Sequence, residues 1–148
     1  MRLTAILLLA MLAGLSCKKE KGNGALDGKW KMIKYYDRNT NSFHTKSDTS
    51  KDVFLVIDGN KFTAISGLKP MYDGTYSLNS DSITFNTVNY YIAILTHDIW
   101  TDMFSWTIQA CGLQSVFPCK PSTLEHLPLN QIRINTSLRM DIVLMKVQ

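Results

Sequence analysis

The residues able to do acid–base or metal chemistry in this sequence are few and scattered. The three histidines, His44, His97 and His126, lie far apart along the chain. His97 and Asp98 are adjacent, so on a strand their side chains point to opposite faces and do not act together. Asp98 and Asp102 offer oxygen ligands to a cation, although aspartates at such positions more often form turns. The sequence therefore predicts no catalytic site, no metal and no cofactor.

Sequence motifs and charge exclude several other classes of function. The chain has no Gly-x-Ser-x-Gly elbow, no phosphate-binding glycine loop and no dinucleotide-binding glycine pattern. The formal net charge is +4, but the basic residues are dispersed apart from a lysine cluster at 18–21. A nucleic-acid-binding face needs its basic residues gathered on one surface. We therefore expect neither an enzyme nor a nucleic-acid partner.

The N-terminus has the pattern of an export signal. Arg2 precedes an apolar run at 3–13, which is shorter than the roughly 20 residues needed to cross a bilayer. Small residues Gly14 and Ser16 then lead to Cys17, as in the cleavage region of a secretory signal peptide. Residues 12–17 resemble a bacterial lipobox, in which the cysteine becomes lipidated.

That resemblance implies a lipoprotein of the bacterial cell envelope. Residues 1–16 are then the signal peptide, Cys17 is the lipidation site, and residues 17–25 include a polar tether to a domain at 26–148. Two acyl chains give stable membrane attachment, and we expect the outer membrane as its location. The alternatives are an ordinary cleaved signal that leaves a free thiol, or an uncleaved helix.

The other two cysteines are predicted to form a disulfide. Lipidation of Cys17 leaves Cys111 and Cys119 as an even pair, and exported proteins retain disulfides. The short loop that this bridge closes contributes roughly 2.5 kcal/mol in the chain-entropy model. Two free thiols or a thiolate metal site are the alternatives, although a metal needs more ligands than these two.

The body of the chain has the two-residue hydrophobic period of β-strands. Asp58-Gly59 and the polar stretch 79–82 are hairpin signals between such segments. Near Ile33 the alternation slips, which indicates a bulge. No segment beyond the signal peptide shows a helical stripe, and 37–50 and 112–129 are predicted loops. The predicted strands are 29–36, 53–57, 61–65, 75–78, 82–86, 88–95, 102–110, 131–135 and 138–147.

Many short antiparallel strands predict an all-β fold, and near-sequential hairpins favour an up-and-down β-barrel of about eight strands. The segments Gly28-Lys29-Trp30, 74–78 and 81–85 resemble, in this order, motifs of bacterial lipocalin-like lipoproteins. In that family the tryptophan closes one end of the barrel against an arginine. The resemblance implies this role for Trp30, with Arg139 or, less favourably, Arg133 as its partner.

A barrel of this size encloses either packed side chains or one small ligand. We expect binding or carriage of a small apolar ligand, with Tyr36, Phe104 and Trp106 lining its site. The alternative is that aromatic rings fill the interior and the protein is an interaction or inhibitor module that uses the barrel rim and both long loops. An enzyme built inside the barrel is a third and weaker hypothesis.

Overall fold

The computed structural model describes residues 24–91, 98–109, 121–136 and 140–148. These residues form nine strands and one helix. In chain order the elements are β1 (Gly28–Asp37), β2 (Ser42–His44), β3 (Val53–Asp58), β4 (Lys61–Ser66), β5 (Lys69–Asn79), β6 (Ser82–Tyr90), α1 (Ile99–Gln109), β7 (Ser122–Leu127), β8 (Gln131–Asn135) and β9 (Met140–Val147).

Eight of the strands form a closed antiparallel barrel. From β3 to β9 each strand pairs with the next one along the chain, and β1 joins the two ends by pairing with both β3 and β9. β2 is a short extra strand that pairs with the end of β1. The predicted up-and-down barrel of about eight strands is therefore confirmed.

The turns and the bulge lie where the local sequence indicated. Gly59, in the β3–β4 hairpin, has φ +61°, in the left-handed region that glycine adopts without steric cost. The β1–β9 register shifts between Met32 and Lys34, which confirms the irregularity predicted near Ile33. Because one extra residue reverses the side-chain alternation, Met32 and Tyr35 are both buried.

Residues 102–109 of the segment predicted as a strand at 102–110 lie in α1, so that strand prediction is wrong. Trp100, Met103, Phe104 and Ile108 are all buried, and their spacing of three and four residues places them on one helical face. Phe104, Trp106 and Ile108 also fit strand alternation. The sequence pattern alone did not distinguish a strand from a helix, whereas burial of one helical face in the barrel core does.

Other element boundaries also differ from the sequence prediction. The predicted loop 112–129 contains β7, a proline-free segment between Pro121 and Pro128, and the predicted loop 37–50 contains β2. β5 begins at Lys69, six residues before the predicted start. β6 runs without a break through segments predicted as two strands, 82–86 and 88–95, as far as Tyr90.

The two ends of the barrel differ. The Trp30 end contains the start of β1, the β3–β4, β5–β6 and β7–β8 hairpins and the end of β9. The α1 end is the opposite one, where the chain leaves β6, forms α1 and returns as β7. Side chains from all eight barrel strands and from α1 form one continuous hydrophobic core.

Candidate functional site

The α1 end of the barrel is the candidate site, and α1 lies across it. The Trp100 ring centroid is 6.1 Å from that of Tyr35, near the end of β1. Further along the helix, the Ser105 hydroxyl lies 3.9 Å from the Met71 sulfur near the start of β5. The buried face of α1 therefore extends from β1 to β5 and covers the interior of the barrel.

Asp98 determines where this helix begins. Its carboxylate accepts hydrogen bonds from the backbone N–H groups of Trp100 (2.9 Å) and Thr101 (3.3 Å), and from the Thr101 hydroxyl (2.8 Å). It therefore satisfies helix N–H groups that have no partner within the helix. The Ser50 hydroxyl also donates to Asp98, at 3.1 Å, and connects the start of α1 to the segment before β3.

Several buried polar groups have no hydrogen-bond partner, among them Ser66 at the end of β4 and two aromatic side chains near α1. The Tyr72 side chain is 1 % exposed and Trp100 is 2 % exposed, yet neither the Tyr72 hydroxyl nor the Trp100 indole N–H makes a hydrogen bond of ordinary geometry. The Ser105 side chain is the polar group beside the Tyr72 hydroxyl and partly opposes the rise of its pKa. Burial raises the pKa of Tyr72 far above its ordinary value, so the phenol keeps its proton. An unpaired buried donor costs about 1–3 kcal/mol, so each marks a place where an acceptor is favoured.

Aromatic rings surround these groups. The Tyr72 ring stacks on Tyr90, with centroids 6.2 Å apart, and meets Phe62 edge-on at 6.4 Å. Phe62 in turn packs edge-on against Phe85 at 5.0 Å. The Tyr72 hydroxyl is therefore a polar group in a largely aromatic environment.

The structure separates the three residues predicted to line a ligand site. Phe104 is fully buried on the inner face of α1, whereas Trp106 is 49 % exposed, because residues two apart on a helix point in nearly opposite directions. Tyr36 lies on the outer face of the barrel, where its ring centroid is 4.9 Å from that of Phe43 and its hydroxyl bonds to Asn41. Neither Trp106 nor Tyr36 lines the barrel interior.

Sequence reasoning missed Tyr72 as a site residue. The alternation through Gly74, Tyr76 and Leu78 places Tyr72 on the same inward face. Extending the predicted strand back across Gly74 would have identified it. The missing hydrogen-bond partner, by contrast, is visible only in three dimensions.

The Trp30 end is closed by a lysine. The Trp30 indole N–H donates to the Leu26 carbonyl oxygen at 2.7 Å, and the Lys146 amine lies 5.5 Å from the ring centroid. This is a cation–π contact from the last strand. Arg133 instead lies over Tyr36 on the outer face, at 5.6 Å. Arg139 lies outside the described residues.

Two clusters of ion pairs on the outer face connect neighbouring segments of the barrel. The Asp141 carboxylate is fully buried and accepts hydrogen bonds from Arg38, at 2.6 Å, and from Arg133. Asp52 pairs with Lys31 at 2.9 Å and with Lys46 at 3.6 Å.

The hydrogen bond from Lys31 lowers the pKa of Asp52, despite opposing desolvation. The Asp52 ion pairs therefore stabilise the fold above the unfolded carboxyl pKa of about 3.9. This contribution disappears as the pH falls through the lower folded pKa.

An open groove of about 360 Å³ lies outside the barrel, on the outer face of β4, β5 and β6. Asp73 in this groove accepts hydrogen bonds from the Asn89 amide (2.8 Å) and the Tyr91 hydroxyl (2.7 Å). Its side-chain hydrogen bonds are therefore made to neighbours on the same surface. The lining residues are Lys61, Phe62, Thr63, Asp73, Gly74, Thr75, Val88 and Asn89.

Several sequence predictions concern residues for which no structural statement is made. Cys17, Cys111, Cys119 and His97 lie outside the described residues. Within the described ranges, no three His, Cys, Asp or Glu side chains group together as metal ligands. None of the helices described there has the length and apolarity needed to cross a membrane.

Solved structures share this barrel. A crystal structure of a lipocalin-like protein from Bacteroides uniformis superposes with a TM-score of 0.56 over 82% of this chain and 98% of its own, at 19% identity. The chain has a lipocalin-like fold. An uncharacterized protein from Bacteroides eggerthii matches the same share of both chains, with a TM-score of 0.52 at 14% identity.

The lipocalin-like barrel also matches a protein from Burkholderia xenovorans solved by NMR, with a TM-score of 0.54, 11% identity and coverage of 82% and 83% of the two chains. No family model and no curated protein matches the sequence. At these identities the similarity extends to the fold alone.

Proposed function

We propose that this protein is a non-enzymatic, lipid-anchored protein of the bacterial envelope that binds a small, mainly apolar ligand at the α1 end of its barrel. The anchor is Cys17, and the outer membrane is the proposed location. The observation that carries ligand binding is the pair of unpartnered buried donors, the Tyr72 hydroxyl and the Trp100 indole N–H. Aromatic side chains with a few polar groups among them are the typical lining of small-ligand sites.

The ligand class follows from the donors. Each donor needs an acceptor such as a carbonyl, ether or hydroxyl oxygen, while the surrounding rings favour an apolar or aromatic body. A charged ligand is disfavoured because it would lose its hydration next to uncharged groups. Since α1 covers the interior, binding also requires the helix to shift, as lids do in other binding proteins.

The first experiment uses the protein made in its own host. Full-length protein is expected in the membrane fraction, and a Cys17→Ser variant in the soluble fraction of the envelope. Native mass spectrometry of that variant, before and after denaturation, should show a bound small molecule released in stoichiometric amount. Recovery of both forms in the soluble fraction would argue against the anchor without affecting the binding proposal.

Tyr72→Phe tests the site itself. Without ligand, removal of an unpaired buried hydroxyl should leave stability unchanged or raise it by about 1 kcal/mol, as measured by urea unfolding. The same change should lower the fraction of protein that retains the ligand. Tyr76→Phe is the matched control: its hydroxyl donates to the Gly59 carbonyl at 3.0 Å, so this variant should lose stability.

A Tyr72→Phe protein that is less stable than wild type and retains ligand equally well would contradict the binding proposal.

The second candidate function is then a protein-interaction or inhibitor module with a filled barrel. It is favoured by the exposed outer face of α1, where Ile99 is 64 % exposed and Trp106 is 49 % exposed. Residues seven apart lie on the same side of a helix, so these two exposed apolar side chains face the same direction.

A further inference from the structure

The chain enters the barrel at the Trp30 end, and the residues just before β1 are fixed there. Leu26 is fully buried, and its carbonyl oxygen accepts the hydrogen bond from the Trp30 indole at 2.7 Å. The Asp27 carboxylate accepts a hydrogen bond from the backbone N–H of Gly59, in the β3–β4 hairpin, at 3.0 Å. The Asp27 N–H in turn donates to the Gly24 carbonyl oxygen at 3.3 Å. Gly24 is therefore held at this end of the barrel.

The proposed lipid anchor lies close to this point along the chain. Gly24 follows Cys17 by seven residues, and a fully extended chain spans about 3.5 Å per residue. The connection between them therefore reaches no further than about 25 Å. Because acyl chains on Cys17 would hold that residue at the bilayer surface, the Trp30 end stays within this distance of the membrane.

The opposite orientation of the barrel needs a longer connection. β1 has 10 residues, so a rise of about 3.3 Å per residue and a strand tilt of about 40° make the barrel about 25 Å tall. α1 lies across the far end and adds up to about 10 Å, the diameter of a helix. With the α1 end on the membrane, the Trp30 end would stand about 35 Å above the bilayer. The connection to Cys17 is too short for this orientation.

The Trp30 end also carries an exposed leucine in a conformation that leucine rarely adopts. Leu129, in the turn between β7 and β8, is 82 % exposed and has φ +60°. A positive φ at a bulky residue costs backbone strain, and hairpin turns with positive φ favour asparagine, aspartate or glycine. Neither burial nor turn geometry therefore accounts for leucine at this position, whereas contact with lipid does.

We propose that the protein rests on its anchoring membrane through the Trp30 end, with Leu129 at the lipid interface and the α1 end directed away from the bilayer. This inference rests on the lipid anchor of the proposed function. It places the ligand site on the side of the barrel that faces away from the membrane, so a ligand is exchanged there and not directly with the anchoring bilayer. The exposed apolar side chains of the α1 end are also out of reach of that bilayer: Leu68, Ile99 and Trp106.

Paramagnetic broadening of amide NMR signals measures this orientation. Full-length lipidated protein is placed in phosphatidylcholine nanodiscs with and without a nitroxide on the lipid headgroup. Neutral lipid is used so that attraction to the lysines at 18–21 does not contribute. Signals of the β7–β8 turn at 129–131 should lose most of their intensity, because broadening falls steeply with distance from the nitroxide. Signals of the β4–β5 turn at 66–69, at the α1 end, should keep theirs.

Leu129→Asp tests the contribution of the leucine. Without it the barrel is free to tilt on its connection, so the difference in broadening between the two ends should shrink. Leu68→Asp is the matched control, because Leu68 is 99 % exposed in a turn at the opposite end, and this variant should keep the wild-type difference. Circular dichroism of each variant verifies that it is folded.

Two results would overturn the orientation. One is wild-type broadening that is equal at the two ends, as for a barrel lying on its side, or stronger at 66–69. The other is a Leu129→Asp protein that broadens as the wild type does. Failure of the anchor is seen separately, because the full-length protein would then be recovered in the soluble fraction. An anchored and oriented protein that retains no small molecule would support the orientation and contradict only the ligand proposal.

Discussion

At the scale of single residues, Gly28 permits the closure of the Trp30 end. Gly28 has φ +128°, in a region that residues other than glycine rarely adopt. A Cβ placed there would lie 2.7 Å from Cε of Lys146, the same side chain whose amine lies over Trp30. The glycine and the tryptophan of the Gly-x-Trp segment therefore act together. Gly28 leaves room for the Lys146 side chain, and the Lys146 amine covers the Trp30 ring.

Gly28→Ala should destabilise the protein by about 2 kcal/mol, since it combines backbone strain with displacement of Lys146. Urea unfolding followed by tryptophan fluorescence measures the change. Gly24→Ala is the control, because its Cβ would make only an ordinary contact, 3.6 Å from Asp27. In the Gly28→Ala protein, the second substitution Lys146→Ala should restore only the part of the stability that the steric clash removed. Complete recovery of stability would show that the backbone at Gly28 is unstrained.

At the scale of elements, α1 is the one described helix in an otherwise all-β domain. Its intrinsic helix propensity is modest, because Ile99, Thr101, Thr107 and Ile108 are β-branched. Two features favour the helix over a strand: the Asp98 cap, and a buried face that completes the core at the α1 end. In most proteins such packing contributes more to helix stability than propensity does.

Asp98→Ala should therefore destabilise the fold by about 1 kcal/mol, the usual cost of losing an N-cap. The loss should be local, with faster hydrogen exchange at the α1 amides than at those of the barrel strands. Asp102→Ala serves as the control, because Asp102 lies in the first turn of the helix and is not the capping residue. Equal effects of the two substitutions would refute the capping role.

At the scale of the whole molecule, closure of the barrel depends on the pairing of β1 with β9, the first and last strands. Asp141 reinforces this junction from the outer face. Its buried carboxylate bonds to Arg133 on β8 and to Arg38, which directly follows β1. One side chain thus connects three segments, and two of them are about one hundred residues apart in sequence.

Asp141→Asn should destabilise the protein by about 3 kcal/mol, since removing one partner of a buried ion pair leaves the others uncompensated. Asp52→Asn is the comparison on the same outer face. That carboxylate is 37% exposed, so its loss should cost less than about 1 kcal/mol. Thermal unfolding at neutral pH measures both variants, and similar losses would show that burial of Asp141 does not strengthen the junction.

The sequence by itself determined the features that depend on local spacing. Period-two alternation specifies strands, and turn residues such as Gly59 specify hairpins. Both signals act between residues that are close together in the sequence. The barrel class, the bulge near Ile33 and most strand positions were therefore predictable. The family resemblance that followed from the Gly-x-Trp segment agrees with the lipocalin-like fold of the structural neighbours.

Only the tertiary structure decided the features that depend on distant contacts. Residues 102–109 satisfy both strand and helix periods, and the hydrophobic core at the α1 end selects the helix. The partner of Trp30 is Lys146 because the last strand ends beside it. The unpaired state of the Tyr72 hydroxyl depends on everything packed around it. Local periodicity specifies which way a side chain points, whereas its partners are set by segments far away in the sequence.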